Sequence, residues 1–152
     1  MIIVAVSDTH GNNQFMDVIK EKHPNAVMYL HAGDSGLLEM QLEPFESVKG
    51  NCDYYIKNNF RIKEIGDLKI YMTHGHYLPL DNLYLLSEFA REKDCNVLIH
   101  GHTHKAKYEY VRGVHIICPG SPVSPRGGKP SYCVLEFNSI DDLKVKFIEY
   151  GN

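Results

Sequence analysis

Leu98-Ile99-His100-Gly101-His102-Thr103-His104 puts three of the chain's nine histidines within five residues, directly behind the apolar run Val97-Leu98-Ile99. A strand that ends this way carries imidazoles to one rim of a sheet, and the glycine lets the backbone turn sharply there. His102 and His104 are two residues apart, so on an extended chain their side chains point the same way. Neutral imidazole is the commonest metal ligand among side chains, and such a pair calls for further ligands elsewhere. The plain alternative is a polar turn that happens to contain histidine. The rest of the chain decides between them.

Other strands end in the same manner. Ile2 to Val6 is an apolar, β-branched-rich run of the kind buried on both faces, and Ser7-Asp8-Thr9-His10-Gly11 follows it. Asn12 or Asn13 is placed to cap a helix over 14–22, with Phe15, Val18 and Ile19 on one face and Pro24 beyond its end. Ala26 to Leu30 reads as a second strand, followed by Gly33-Asp34. Ser47-Val48-Lys49 leads into Gly50-Asn51. Phe60 to Ile65 and Leu68 to Thr73 flank Gly66-Asp67 as a hairpin, and the second arm runs into His74-Gly75-His76. Leu83, Leu86, Phe89 and Ala90 recur at helical spacing within 80–93. The last third is strand-rich: 107–111, 114–118, 131–137 and 143–148. Between the second and third of these lies a loop, 119–130, holding four of the seven prolines.

Composition narrows the class. At 152 residues, with 43% apolar and 23% charged residues, the chain suits a single globular domain over 1–152 with a core of its own. A net charge of −3 gives no basic field to gather nucleic acid in bulk. Cys52, Cys95, Cys118 and Cys133 are scattered, which fits free thiols in a reducing cytoplasm rather than a disulfide scaffold. No stretch has the length of a membrane helix, and the N-terminal apolar run is too short for a signal peptide. These features predict a cytoplasmic protein with no membrane partner. The apolar stretches 36–42 and 78–85 offer a homodimer surface, against the simpler reading as core helix.

In open α/β sheets, sites form outside the carboxyl ends of the strands. Asp8, His10, Asp34, Asn51, His74, His102 and His104 all fall at that edge. Structural reasons place one or two such residues there; they do not naturally place seven. Imidazole, carboxylate and amide oxygen together suit borderline divalent ions, among them Mn, Fe, Zn, Co and Ni. Seven ligands are too many for one tetrahedral ion and suit two. A pair of ions roughly 3.5–4 Å apart forms a clamp for phosphate esters.

Asp8-x-His10, Gly33-Asp34, Gly50-Asn51, His74 and Gly101-His102-x-His104 resemble, in order and spacing, the calcineurin-like metallophosphoesterases. The likeness is strongest to the small single-domain bacterial and archaeal phosphodiesterase branch, and the Pro-Gly-Ser loop near 119–128 shares in it. The resemblance implies a four-layer α/β/β/α sandwich. It implies that Asp8, His10 and His104 hold one metal and that Asn51, His74 and His102 hold the other, with Asp34 bridging. It further implies two divalent ions, manganese first among them with Ni, Zn, Fe, Co or Mg as alternatives, and in-line attack on a phosphodiester by a hydroxide between them. Asp34 and Asn51 thereby count as catalytic as well as metal-binding.

One position departs from the pattern. Many family phosphatases carry Gly-Asn-His, whose histidine protonates the leaving oxygen, whereas this chain has Gly50-Asn51-Cys52-Asp53. A thiol with pKa of about 8.5 is a poor general acid at neutral pH. His76, two residues from His74, is the candidate replacement, and an ordinary loop histidine is the alternative. His31 and His100 read as positioning residues for the ligand loops, Arg126 as either a phosphate contact or a solvated loop residue, and His23 and His115 as surface or edge positions. The resulting expectation is a metal-dependent phosphodiesterase acting on a small phosphodiester. The rival is a catalytically weak, partner-binding scaffold on the same fold, as in a retromer subunit.

Overall fold

The computed structural model describes residues 1–151. Strands β1 (Ile2–Val6), β2 (Met28–His31) and β3 (Phe45–Ser47) run parallel. Strands β4 (Phe60–Ile65) and β5 (Leu68–Thr73) form the hairpin, and α1 (Gln14–Lys22) and α2 (Leu83–Glu92) are the helices. β6 (Val97–Ile99), β7 (Lys107–Val111), β8 (Val114–Cys118), β9 (Ser131–Glu136) and β10 (Lys144–Glu149) complete the chain. They make two five-stranded sheets, in the orders β10-β9-β1-β2-β3 and β4-β5-β6-β8-β7.

Three apolar clusters fix the layer order. Ile3 and Ala5 of β1 point inward and meet Ile70 and Met72 of β5 and Val97 and Ile99 of β6, so the two sheets share one interior. Val4 and Val6, on the other face of β1, pack under Phe15 and Ile19 of α1. Tyr71 and Leu98, on the outer face of the second sheet, pack under Leu86 and Ala90 of α2. The period-2 alternation of a strand apolar on both faces therefore gives an α/β/β/α sandwich.

The helix ends have local causes. The Asn82 side chain accepts from the Leu85 N–H at 3.0 Å, so α2 starts there rather than at Leu80. Asn12, not Asn13, supplies the side chain at the start of α1: its Oδ1 accepts from the Gln14 N–H. Val18 faces solvent at 36% exposed while Phe15 and Ile19 are buried, because a nine-residue helix lying on one sheet covers only a narrow stripe. The 36–45 segment forms only one 3₁₀ turn, Glu39–Leu42, with Leu42 in the core and Met40 exposed. Leu78, Leu80 and Leu83 pack against the α2 cluster.

β1, β2, β3, β5, β6 and β8 all end at one edge. Backbone hydrogen bonds stitch the loops there: Asp8 N–H to Gly33 C=O, His10 N–H to Asp34 C=O, and Gly101 N–H to His74 C=O, each 3.0 Å. Among the described residues, no helix is long and apolar enough to cross a membrane.

Candidate metal centre

Among the described residues, seven non-glycine residues adopt the left-handed backbone, and five of them are Asp8, His10, Asp34, His102 and His104. Such conformations cost of order 1–3 kcal/mol each and persist where the surroundings over-determine them. Positive φ at both 102 and 104 also corrects the extended-chain reading of the histidine pair. The chain curls at each, and the two side chains diverge. The His104 imidazole turns to Asp8 (Nε2 to Oδ1, 3.3 Å) and His10 (Nε2 to Nε2, 3.3 Å). The His102 imidazole turns the other way, to Asn51 Oδ1 at 3.1 Å and to the His74 ring, with centroids 5.3 Å apart.

The inner donor atoms of Asp8, His74 and His104 are freed by hydrogen bonds on their far sides. Asp8 Oδ2 accepts from the Ser7 hydroxyl (2.7 Å) and the His102 N–H (3.1 Å), leaving Oδ1 aimed inward. His74 Nδ1 donates to the Ala32 carbonyl (2.8 Å), and His104 Nδ1 donates to the Ser124 carbonyl (2.7 Å). Both Nε2 lone pairs therefore face the cluster, the arrangement found at metal-ligating histidines. Asp8 Oδ1 and His74 Nε2 are buried and have no hydrogen-bond partner, a costly condition for a carboxylate oxygen and a ring nitrogen. Asp34 Oδ2 lies 3.2 Å from His74 Nε2, and its Oδ1 accepts from the Cys52 N–H at 2.8 Å. Donor atoms of Asp8, His10 and His104, and of Asp8, Asp34 and His74, group within 4.8 Å of one another. Partnerless oxygen and nitrogen aimed at one point fit divalent cations.

The electrostatics agree. Burial pushes the Asp8 carboxyl up, against the pull of His74. Burial also opposes charge on Asp34, but the His74 imidazole beside its Oδ2 and the hydrogen bond from the Cys52 N–H hold it down at about 2. His74 would be depressed by burial; the Asp34 and Asp8 carboxylates beside it outweigh that and raise it. Asp34 thus keeps its charge in a nearly dry site, which a cation offsets.

Two histidines beside the ligands are locked neutral. His31, fully buried, accepts from the Gly33 N–H at Nδ1 (3.1 Å) and meets the Thr9 hydroxyl at Nε2 (2.9 Å). Burial, then the His74 charge, lowers it to about 3. His100, bonded through Nδ1 to the Gly101 carbonyl, falls to about 4, chiefly through burial. Unfolded, both titrate near 6.5. Their contribution to stability is therefore full above pH 6.5 and is lost as pH falls towards the folded values. In the presence of chelator, Tm declines from pH 6.5 to about 4, and His31→Gln removes about one proton from the uptake on unfolding. An unchanged slope in that variant contradicts the assignment.

His76 sits at the wall of the site, its ring 5.5 Å from His74 and 6.3 Å from His102, with a buried, partnerless Nδ1. Several supports were not legible as site residues. Asp53 accepts from the N–H groups of Asp34 (2.9 Å), Gly50 (2.8 Å) and Gly36 (3.1 Å), tying the loops after β2 and β3 together. The Ser121 hydroxyl donates to the Asp8 carbonyl at 2.8 Å. Cys52 also belongs nearer the centre than its sequence suggests, since its thiol groups with His10 and Asp34. Burial and the Asp34 charge raise that thiol, so it remains protonated. His115 is buried and bonds the Tyr108 hydroxyl, and His23 bonds Tyr132; neither is a free surface histidine.

The sequence model of the calcineurin-like phosphoesterase superfamily domain matches residues 1–139. The chain belongs to the calcineurin-like phosphoesterases. Among curated members of this family, a probable metallophosphoesterase of Mycoplasma genitalium is 34% identical, over 97% of this chain and 95% of that one. A phosphodiesterase of Methanocaldococcus jannaschii is 26% identical, over 90% and 93%. Among solved calcineurin-like structures, a predicted phosphoesterase of Streptococcus pneumoniae superposes with a TM-score of 0.87 at 28% identity, covering 97% of this chain and 88% of that one. The protein is thus a phosphoesterase-type hydrolase by family, with potential metal ligands clustered at Asp8, His10, Asp34, His74 and His104.

Proposed function

We propose that this calcineurin-like phosphoesterase is a dinuclear-metal phosphodiesterase that cleaves small phosphodiesters by in-line displacement with water. The observation that carries it is the pair of buried, partnerless atoms Asp8 Oδ1 and His74 Nε2, aimed into one cluster from two different sheets. Asp8, His10 and His104 would hold one divalent ion and Asn51, His74 and His102 the other, with Asp34 available to both; manganese is the first choice. Bound there, the ions lower the pKa of water and neutralise charge that develops on the phosphoryl oxygens. The chain's own part is orientation. Ser7, Ala32 and Ser124 fix which atom of Asp8, His74 and His104 faces inward, and Asp53 holds the backbone that carries Asp34.

Cys52 is raised and stays protonated, so it gives the leaving oxygen little help. That favours diesters with good leaving groups over alkyl monoesters. His76 is the side chain placed to supply a proton. Burial, then the His74 charge, lowers it, so it acts at neutral pH only as a minor protonated fraction.

One panel tests the reading: bis(p-nitrophenyl) phosphate, p-nitrophenyl phosphate and a dialkyl phosphodiester, which has only alkyl leaving groups. Each is assayed with manganese and with chelator. Turnover of the first appears with manganese and is lost with chelator. His76→Gln lowers alkyl-ester cleavage by about 10²-fold and leaves nitrophenolate release nearly unchanged, as expected for lost acid help. Metal-free turnover, or no turnover with any divalent ion, overturns the enzyme reading and leaves the partner-binding scaffold.

A further inference from the structure

We infer that the substrate carries a second anionic group besides the phosphodiester that is cut, and that the groove walled by Lys105, Lys107, Arg126 and Lys129 holds it. The inference rests on the phosphodiesterase reading and adds the substrate class.

Two grooves flank the ligand cluster and meet at Lys105 and Lys107. The first, about 470 Å³, opens beside His76 and His102. Its wall is apolar at Leu78, Leu83 and Ile116, and Asp81 and Glu109 balance the two lysines. The second, about 480 Å³, opens beside His104. There four cationic side chains face a single carboxylate, Glu149, in a chain whose net charge is −3. Positive charge is therefore concentrated at one flank of the cluster against the average of the surface.

Three of the four cations are not paired with a carboxylate, and the fourth is mostly exposed. Lys129 lies 3.5 Å from Glu149, at 78% side-chain exposure. Among the described residues, Lys105, Lys107 and Arg126 have no carboxylate within 4.0 Å. Nor is the groove a loose surface feature. The Arg126 N–H donates to the His104 carbonyl at 3.1 Å, and the Ser124 carbonyl, two residues earlier, takes the His104 Nδ1 proton. One loop thus fixes an imidazole of the cluster and carries the groove's guanidinium. An anion placed there is held at a set distance from the reacting phosphorus. The balanced, apolar first groove suits an uncharged arm of the same molecule. The chemistry points to a phosphodiester with a further phosphate, such as an esterified nucleoside bisphosphate.

A matched pair of esters tests this: thymidine 5′-(p-nitrophenyl phosphate) with and without a 3′-phosphate, on the manganese-loaded protein. KM for the 3′-phosphorylated ester is lower by about tenfold at low salt, the effect of one or two charge-assisted contacts at a solvated site. The ratio shrinks as salt screens the groove. The double variant Arg126→Ala, Lys129→Ala brings the ratio to about one. Calorimetric binding of thymidine 3′,5′-bisphosphate against thymidine 5′-monophosphate gives the same order without turnover. A ratio near one in the wild type, or a ratio that survives in the double variant, overturns the inference while leaving the phosphodiesterase reading intact. If neither ester is cut, the phosphodiesterase reading falls, and the binding ratio alone then decides the groove.

Discussion

Asp34→Asn lowers kcat on bis(p-nitrophenyl) phosphate by at least about 10³-fold at saturating manganese, several kcal/mol of transition-state stabilisation. The substitution keeps the shape of the side chain. An amide oxygen still accepts from the Cys52 N–H, the bond that orients Asp34 at 2.8 Å. It removes the charge, which the fold maintains by holding the carboxyl at about 2 against the cost of burial. It also replaces the oxygen that faces His74 Nε2 at 3.2 Å. Bound manganese per chain falls with activity, and Tm in chelator falls modestly, because a carboxylate held below its free value contributes stability at neutral pH. A variant that keeps kcat within tenfold removes Asp34 from the proposed bridging role.

Gly50→Ala costs activity by about 10²-fold or more, through position alone. A Cβ at residue 50 falls 2.1 Å from Asp34 Oδ1 and 2.5 Å from the Asp34 nitrogen, so the carboxylate and its backbone must both move. Asp53 cannot absorb the change, because it already bonds the N–H groups of Gly50 and Asp34. Gly66→Asn is the control. Gly66 sits in the turn between β4 and β5, at the end of β5 opposite His74, has nothing within 4 Å of an added Cβ, and its φ of 57° suits asparagine. Activity measured in parallel falls in the first variant and not in the second. Equal activity in both contradicts the close packing of Gly50 against Asp34.

The inward atoms at this site were legible in the sequence because His, Asp and Asn are unusual directly behind apolar strands, and six such strands end at one edge. Asp8, His10, Asp34, Asn51, His74, His102 and His104 stand together for that reason. What orients them was not legible. Ser7, Ser121, Ser124 and Asp53 are ordinary turn residues, and only the folded distances separate a turn serine from one that fixes a carboxylate. The divergence of His102 and His104 depends on two left-handed residues, which no side-chain period reveals. The pairing of β1 with β9, more than 120 residues away in sequence, is likewise a long-range choice that local pattern does not carry. His115 read as a surface or edge position; it lies on β8, paired on both sides by β6 and β7, and the Tyr108 hydroxyl meets its ring at 2.8 Å.

The most direct test of two ions held by these seven side chains is anomalous diffraction from crystals soaked in manganese. The account predicts two peaks roughly 3.5–4 Å apart. One lies against Asp8, His10 and His104, the other against Asn51, His74 and His102, with Asp34 touching both. A single peak, or none at saturating manganese, contradicts it.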